Sequence, residues 1–441
     1  MQTRIRGPAS LRRVEMKDFV RSNNFGKWGW AMIIYAALSY YVSATLSTDG
    51  LNFYPSAFAE VYGWNSGMIT TLAGVAGWVA LVGAVVFAQI IAKIGTKKAA
   101  GIINIITGVL VLIFANTPNF AVFIVMVFAI NFIVGNVQLN LVPSNIMNVW
   151  FPRKKGVALG WATMGMPICT ATVITLLTVL TTKTGSPGGA YTIFGILVIV
   201  FGIVSFFWVK ENPESLGLYP DNEEISAEEL AANKAEFESH VSKWNIKKLL
   251  TTKTTWGIGI GLGLMWATTV GIVSQLVPRL SGISDGAYAD QALMMLSVAA
   301  VIGIAGSYFW GIIDHKLGTK RACIFYGCWY IVAIIFLLLQ PQSVVCVWIS
   351  VIMVGVGIGG IGNLIPSMIG SCFGRFDFIQ ANKAIAPMNT IVRQTGIVLA
   401  GILSQTVYGY SGLYVILLVA NIVGIILVVT LIRPNQMTEQ A

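Results

Sequence analysis

The chain repeats itself at an offset of 223 residues, so its fold has to accommodate two copies of one unit. Lys93-Ile94-Gly95-Thr96-Lys97-Lys98-Ala99 is answered by Lys316-Leu317-Gly318-Thr319-Lys320-Arg321-Ala322, and Asn140-Leu141-Val142-Pro143-Ser144 by Asn363-Leu364-Ile365-Pro366-Ser367. Two independent matches at one spacing are hard to obtain by chance. Around them run apolar stretches, each long enough as a helix to cross the ~30 Å hydrocarbon core of a bilayer. About twelve can be counted, six per copy. With 56% of the residues apolar and 10% charged, there is too little charge to coat a globule of this size. The sequence predicts an all-α membrane protein with twelve transmembrane helices in two pseudo-symmetric six-helix halves.

The net charge of +10 reads as topology rather than as a nucleic-acid footprint. If the N-terminus is cytoplasmic and the spans alternate, 25 of the 28 Lys/Arg residues fall on the cytoplasmic side. Lys183 and Arg279 fall outside, and Arg393 lies within a span. Both termini are expected in the cytoplasm and the protein in the bacterial cell (inner) membrane. The predicted organisation is a basic tail over residues 1–27, a first half over 28–209, a cytoplasmic linker over 210–254, a second half over 255–432 and a tail over 433–441. The first 27 residues carry seven Lys/Arg and no short apolar core with a cleavage site, so the first span is expected to stay as an anchor. The linker holds half of the acidic residues, and Ser226-x-x-Glu229 predicts a capping box opening an amphipathic helix with Leu230, Phe237 and Trp244. The five cysteines lack metal-type spacing, and His240 and His315 are the only histidines, so no metal, cofactor or catalytic set is expected and the chain does not read as an enzyme.

Arg393 is the most informative residue. It lies about ten residues past Lys383, which at 1.5 Å per residue places it ~15 Å deep, near the bilayer midplane. A cation there costs at least ~2.5 kcal/mol on insertion scales and marks a functional site by default. No Asp or Glu lies at comparable depth unless Asp49 reaches inward, and an unpaired guanidinium is a ready partner for a carboxylate. Asn136, Gln138 and Asn140 give span four a polar face, and Asn363 gives span ten one; each conserved-offset Asn precedes a proline that frees a backbone carbonyl. Kinking and interhelical hydrogen bonding explain these amides as readily as substrate contact does. Tyr40, Tyr41, Trp161 and Trp266 are candidates for an apolar cage, with Gln394 beside the arginine, and Asp49 is the candidate proton-coupling acid. The loops with Lys93, Gly95 and Lys97, and with Asp314, Lys316 and Gly318, are expected to serve gating and topology.

Twelve spans in two parallel copies, with basic loops after spans two and eight, resemble the major facilitator superfamily. Gly29-Trp30-Ala31, Tyr62-Gly63-Trp64-Asn65, Trp150-Phe151-Pro152-Arg153-Lys154-Lys155-Gly156 and Asn212-Pro213-Glu214-Ser215-Leu216-Gly217-Leu218-Tyr219-Pro220 resemble its oxalate/formate antiporter and monocarboxylate porter branch. The resemblance implies that a basic residue in span eleven contacts the substrate carboxylate, and Arg393 falls where the oxalate/formate type keeps a lysine. The acidic latch usual after span two is replaced by Ala92-Lys93, and the arginine that this branch carries in span eight has no counterpart between Gln291 and Ile313. One cation suits one carboxylate. The expectation is a monomeric secondary transporter of a small organic anion, a monocarboxylate, working as an antiporter or as a proton symporter, with membrane lipid as its other partner. Efflux of larger amphipathic compounds, and a non-transporting sensor on a carrier fold, remain as alternatives.

Overall fold

The computed structural model describes residues 21–403 and 406–434; the basic segment up to residue 20 and the tail from residue 435 lie outside the described residues. A bilayer core offers no water to backbone N–H and C=O groups, so an apolar chain crosses it as helices that satisfy those groups internally. In chain order the long helices are α1 (Gly26–Leu46), α2 (Ser66–Ile94), α3 (Thr96–Asn116), α4 (Phe120–Trp150), α5 (Lys155–Thr184) and α6 (Pro187–Trp208). The second set is α7 (Lys253–Ser274), α8 (Ala292–Leu317), α9 (Thr319–Leu339), α10 (Val344–Phe373), α11 (Phe378–Leu403) and α12 (Gly409–Leu431). Ten of these are long and apolar enough to cross a membrane, and α2, bent by 51°, makes an eleventh. The remaining one, α11, is long enough at 26 residues, but Lys383, Arg393 and its amide side chains lower its apolarity.

Each half has its own interior. One apolar core is built from buried residues between 244 and 432, and two others from residues between 25 and 209. Large apolar side chains on the outer surface, among them Phe207, Val82 and Leu197, are exposed, as lipid-facing positions are. The halves meet where α5 packs on α8 and α2 on α11. Glycine makes the first contact possible. A Cβ on Gly311 would stand 2.6 Å from the Gly156 carbonyl oxygen and 3.0 Å from Gly160 Cα, so the two backbones touch with only hydrogen between them.

The repeated Gly-Thr-Lys loops turn through glycines in the left-handed region, Gly95 at φ +84° and Gly318 at φ +81°. Both loops lie at the same end of the bundle, here termed the basic end. The segment after α6 folds back onto this end. Glu211 accepts N–H bonds from Thr96 (3.0 Å) and Lys97 (2.8 Å) at the start of α3. Asp221 accepts from the N–H groups of Arg153 and Lys154 ahead of α5, and the Lys154 ammonium donates to the Asp221 carbonyl at 2.8 Å. Burial pushes the Asp221 carboxyl above its ordinary value, opposed by those N–H donors. Glu214 reaches the second half, with a carboxylate oxygen 2.6 Å from the Arg375 guanidinium in the loop between α10 and α11. The expected surface linker is therefore, over its first part, a strap across the bundle. Ser226 caps the helix Ala227–Ser239 as its sequence predicts, accepting from Glu229 N–H at 3.1 Å. Trp244 lies beyond that helix and is buried in the core of the second half.

Candidate functional site

A cavity lies between the halves, walled by α1, α4 and α5 on one side and by α7, α10 and α11 on the other. At α4 the cavity borders the turn that precedes Pro143. Proline has no N–H to give, and the turn before it widens into a π-helical one over Val137–Leu141, with Leu141 N–H bonded to Asn136 O at 2.9 Å. The side-chain amide of Asn140 donates to the Gly135 carbonyl at 2.6 Å. That bond fixes the amide orientation and leaves Oδ1 as an acceptor on a residue that lines the cavity. Beside it the Tyr40 hydroxyl and Ser144 Oγ lie 3.1 Å apart.

On the opposite wall, Asn382, Ala386, Asn389 and Thr390 line the cavity along one face of α11. Arg393 continues this face one turn beyond Asn389. Its guanidinium lies 4.6 Å over the ring of Trp266, which itself lines the cavity. Its Nε is buried without a hydrogen-bond acceptor, and among the described residues no carboxylate pairs with it. A cation resting on an indole face with donors unmet is a half-built site, and a carboxylate completes it with charge and bidentate geometry.

The structure thus brings Tyr40, Asn140 and Trp266 to the cavity, with Arg393 against Trp266 and outside the lining itself. The other expected residues have partners elsewhere. Tyr41 bonds Thr172 on α5 at 3.1 Å, and Asn136 donates to its own helix at Phe132 O (2.8 Å). Gln138 turns into the first half, donating to Asn104 (2.9 Å) and Thr107 (3.1 Å). Asn363, the counterpart of Asn140 in the repeat, instead ties α10 to α8 through Ser307 O at 2.9 Å. Gln394 packs against Gly77 on α2. Trp161 meets Trp30 edge-on and Tyr308 at a tilt, with ring centroids at 5.4 Å and 4.7 Å, and donates to Asn23, an arrangement that joins the halves rather than lining the cavity. Asp49 is buried against α5, where Thr170 Oγ1 donates to both carboxylate oxygens at 3.1 Å. Thr170 is one turn past the cavity residue Met166, so Asp49 sits beyond the cavity.

Asn148 presses against Gly370 at the basic end, one turn past the cavity residue Ser144 on α4 and next to the cavity residue Ile369 on α10. Asp314 adds a second contact between the halves at this end. It is buried, accepts from Ser367, and abuts Gly156 at the start of α5. Lys93 and Lys316 are exposed, and the Lys97 backbone rather than its ammonium makes the contact with Glu211. Reading the sequence alone misses Ser144, Asn382, Asn389 and Thr390. The signal for Asn389 was available, since it stands four residues before Arg393 and therefore on the same face.

Two helical halves thus flank a central cavity with an apolar lining and a few polar side chains. The family description "Major Facilitator Superfamily" matches residues 31–391, and the chain belongs to that family. It is a transporter and not an enzyme. Among solved structures, the chain is similar to that of the proton:xylose symporter XylE bound to 6-bromo-6-deoxy-D-glucose, with a TM-score of 0.70 and 10% identity over 92% of this chain and 96% of that one. It is also similar to the human organic anion transporter MFSD10 (TETRAN), with a TM-score of 0.65 and 11% identity over 90% of this chain and 98% of that one. No curated protein sequence matches it significantly. At such identities the likeness is one of fold.

Proposed function

We propose that the protein carries a small monocarboxylate across the membrane by alternating access, its two halves rocking about the central cavity. The observation that carries this reading is Arg393, an unpaired cation laid on the cavity residue Trp266 and one turn past the cavity residue Asn389. The solved relatives are described as carrying cargoes as different as xylose and organic anions, so the shared fold leaves the choice of cargo to the side chains. A lipophilic cation would be repelled by Arg393, which weighs against efflux of such compounds. One deep cation with no second in α8 favours one carboxylate over two. The distribution of Lys/Arg supports a cytoplasmic basic end, and the proposed setting is a bacterial inner membrane. Coupling is by exchange of anions or by proton symport, with Asp49 as the acid that would take the proton.

Thermal unfolding of the purified protein against a panel of mono- and dicarboxylates tests the reading, because a ligand that binds the native state raises the melting temperature. Monocarboxylates should stabilise the wild type and not Arg393→Gln. Stabilisation by amphipathic cations and by no acid would replace this reading with the efflux one. Counterflow in vesicles separates a carrier, which moves ligand, from a sensor, which only binds it.

A further inference from the structure

The two walls of the cavity differ in chemistry. The wall from the second half offers Arg393 behind Trp266, and the Asn389 amide, whose Oδ1 is buried against Gly263 without a donor so that its N–H2 is the part left for the cavity. These are donors, suited to an anion. The wall from the first half carries no charge. It offers Asn140 Oδ1, an acceptor on an amide oriented by the N–H that it gives to Gly135 O, and the Tyr40–Ser144 hydroxyl pair. Two hydroxyls that bond each other use one of their two protons, so the pair keeps one O–H donor and spare lone pairs for a ligand. An acceptor beside a donor/acceptor pair is what a hydroxyl group on a ligand satisfies. A plain carboxylate has no proton to give Asn140 Oδ1, and an alkyl chain would leave that oxygen and the hydroxyl pair's remaining O–H without partners.

We infer that the cargo is a hydroxylated monocarboxylate, with its carboxylate toward Arg393 and a hydroxyl remote from that carboxylate bound by Asn140, Tyr40 and Ser144. This rests on the carboxylate reading and narrows it. Because each end of the ligand is held by a different half, binding is felt by both halves at once, as a rocking carrier requires.

Three six-carbon probes test it in thermal unfolding titrations of the full-length protein: hexanoate, gluconate and sorbitol. Burial of methylenes alone would favour hexanoate, so a preference for gluconate has to come from its hydroxyls. Gluconate should half-saturate the shift at a concentration roughly fivefold or more below hexanoate, the effect of one or more net hydrogen bonds. Sorbitol, lacking the charge, should give no shift. Tyr40→Phe keeps the ring that packs on α4 and removes the hydroxyl, so it should weaken gluconate several-fold and leave hexanoate unchanged; Asn140→Ser should do the same. Equal binding of gluconate and hexanoate by the wild type, or an unaltered gluconate preference in both variants, would overturn the hydroxyl assignment while leaving the carboxylate reading in place. A shift with sorbitol equal to that with gluconate, or none with either acid, would overturn both.

Discussion

Removing the Glu214 carboxylate tests whether the segment after α6 ties the halves together. Its Oε1 lies 2.6 Å from Arg375 Nη2, with the two side chains 0% and 9% exposed, and Arg375 lies 4.7 Å over the Phe376 ring. Neither Glu214 oxygen has a hydrogen bond of good geometry, so the pair is one of charge rather than of directed bonds. Glu214→Gln strands a buried guanidinium, and breaking one side of a buried pair costs about 3–5 kcal/mol. A penalty of that size lowers the melting temperature on the order of 5 °C or more. The double variant Glu214→Leu/Arg375→Met removes both charges and keeps apolar volume in their place, so it should recover most of the loss. Thermal unfolding of the three proteins in one detergent, without ligand, reads the result. A melting temperature for Glu214→Gln equal to wild type, or a double variant no better than the single, would refute the strap as a buried charge tie.

Other consequences can be measured independently. Gly311→Ala places a methyl 2.6 Å from the Gly156 carbonyl, so α5 and α8 must separate; overpacking of this kind costs about 1–3 kcal/mol and should slow transport as well as lower the melting temperature. Trp266→Leu removes the ring beneath Arg393, a cation–π contact worth up to about 2 kcal/mol when desolvated, and should weaken carboxylate binding without abolishing it, as a ligand titration would show. Asp49→Asn keeps an acceptor for Thr170 and removes the titratable proton, so in proteoliposomes it should eliminate any stimulation of uptake by acid pH while anion exchange continues; stimulation that persists would take Asp49 out of coupling.

Much of the architecture is legible in the sequence because a bilayer imposes one rule on every span. The repeat at Lys93 and Lys316 marks the ends of α2 and α8, and the two glycines there do adopt the left-handed turn that the loops need. Arg393 stands out because a cation in an apolar run is rare for a physical reason. What the sequence does not carry is rotation and distance. Gln138 and Asn140 are two residues apart and so face opposite sides of α4, but which side meets the first half's interior and which the cavity is set by packing that the sequence does not show. Asn140 and Asn363 occupy equivalent places in the repeat and do different work, because α10 holds Pro366 inside a regular helix where α4 widens before Pro143. The strap was illegible for another reason. Glu211 and Thr96 are 115 residues apart, and an acidic stretch between spans looks the same whether its carboxylates face water or cap helices.

The decisive measurement is carboxylate counterflow in proteoliposomes for wild type, Arg393→Lys and Arg393→Gln. Lysine keeps the charge but not the planar fork, so it should retain part of the activity, and glutamine should abolish it while the protein remains folded by its melting temperature. Counterflow by Arg393→Gln at a rate close to wild type would contradict the assignment of the cavity as a carboxylate site.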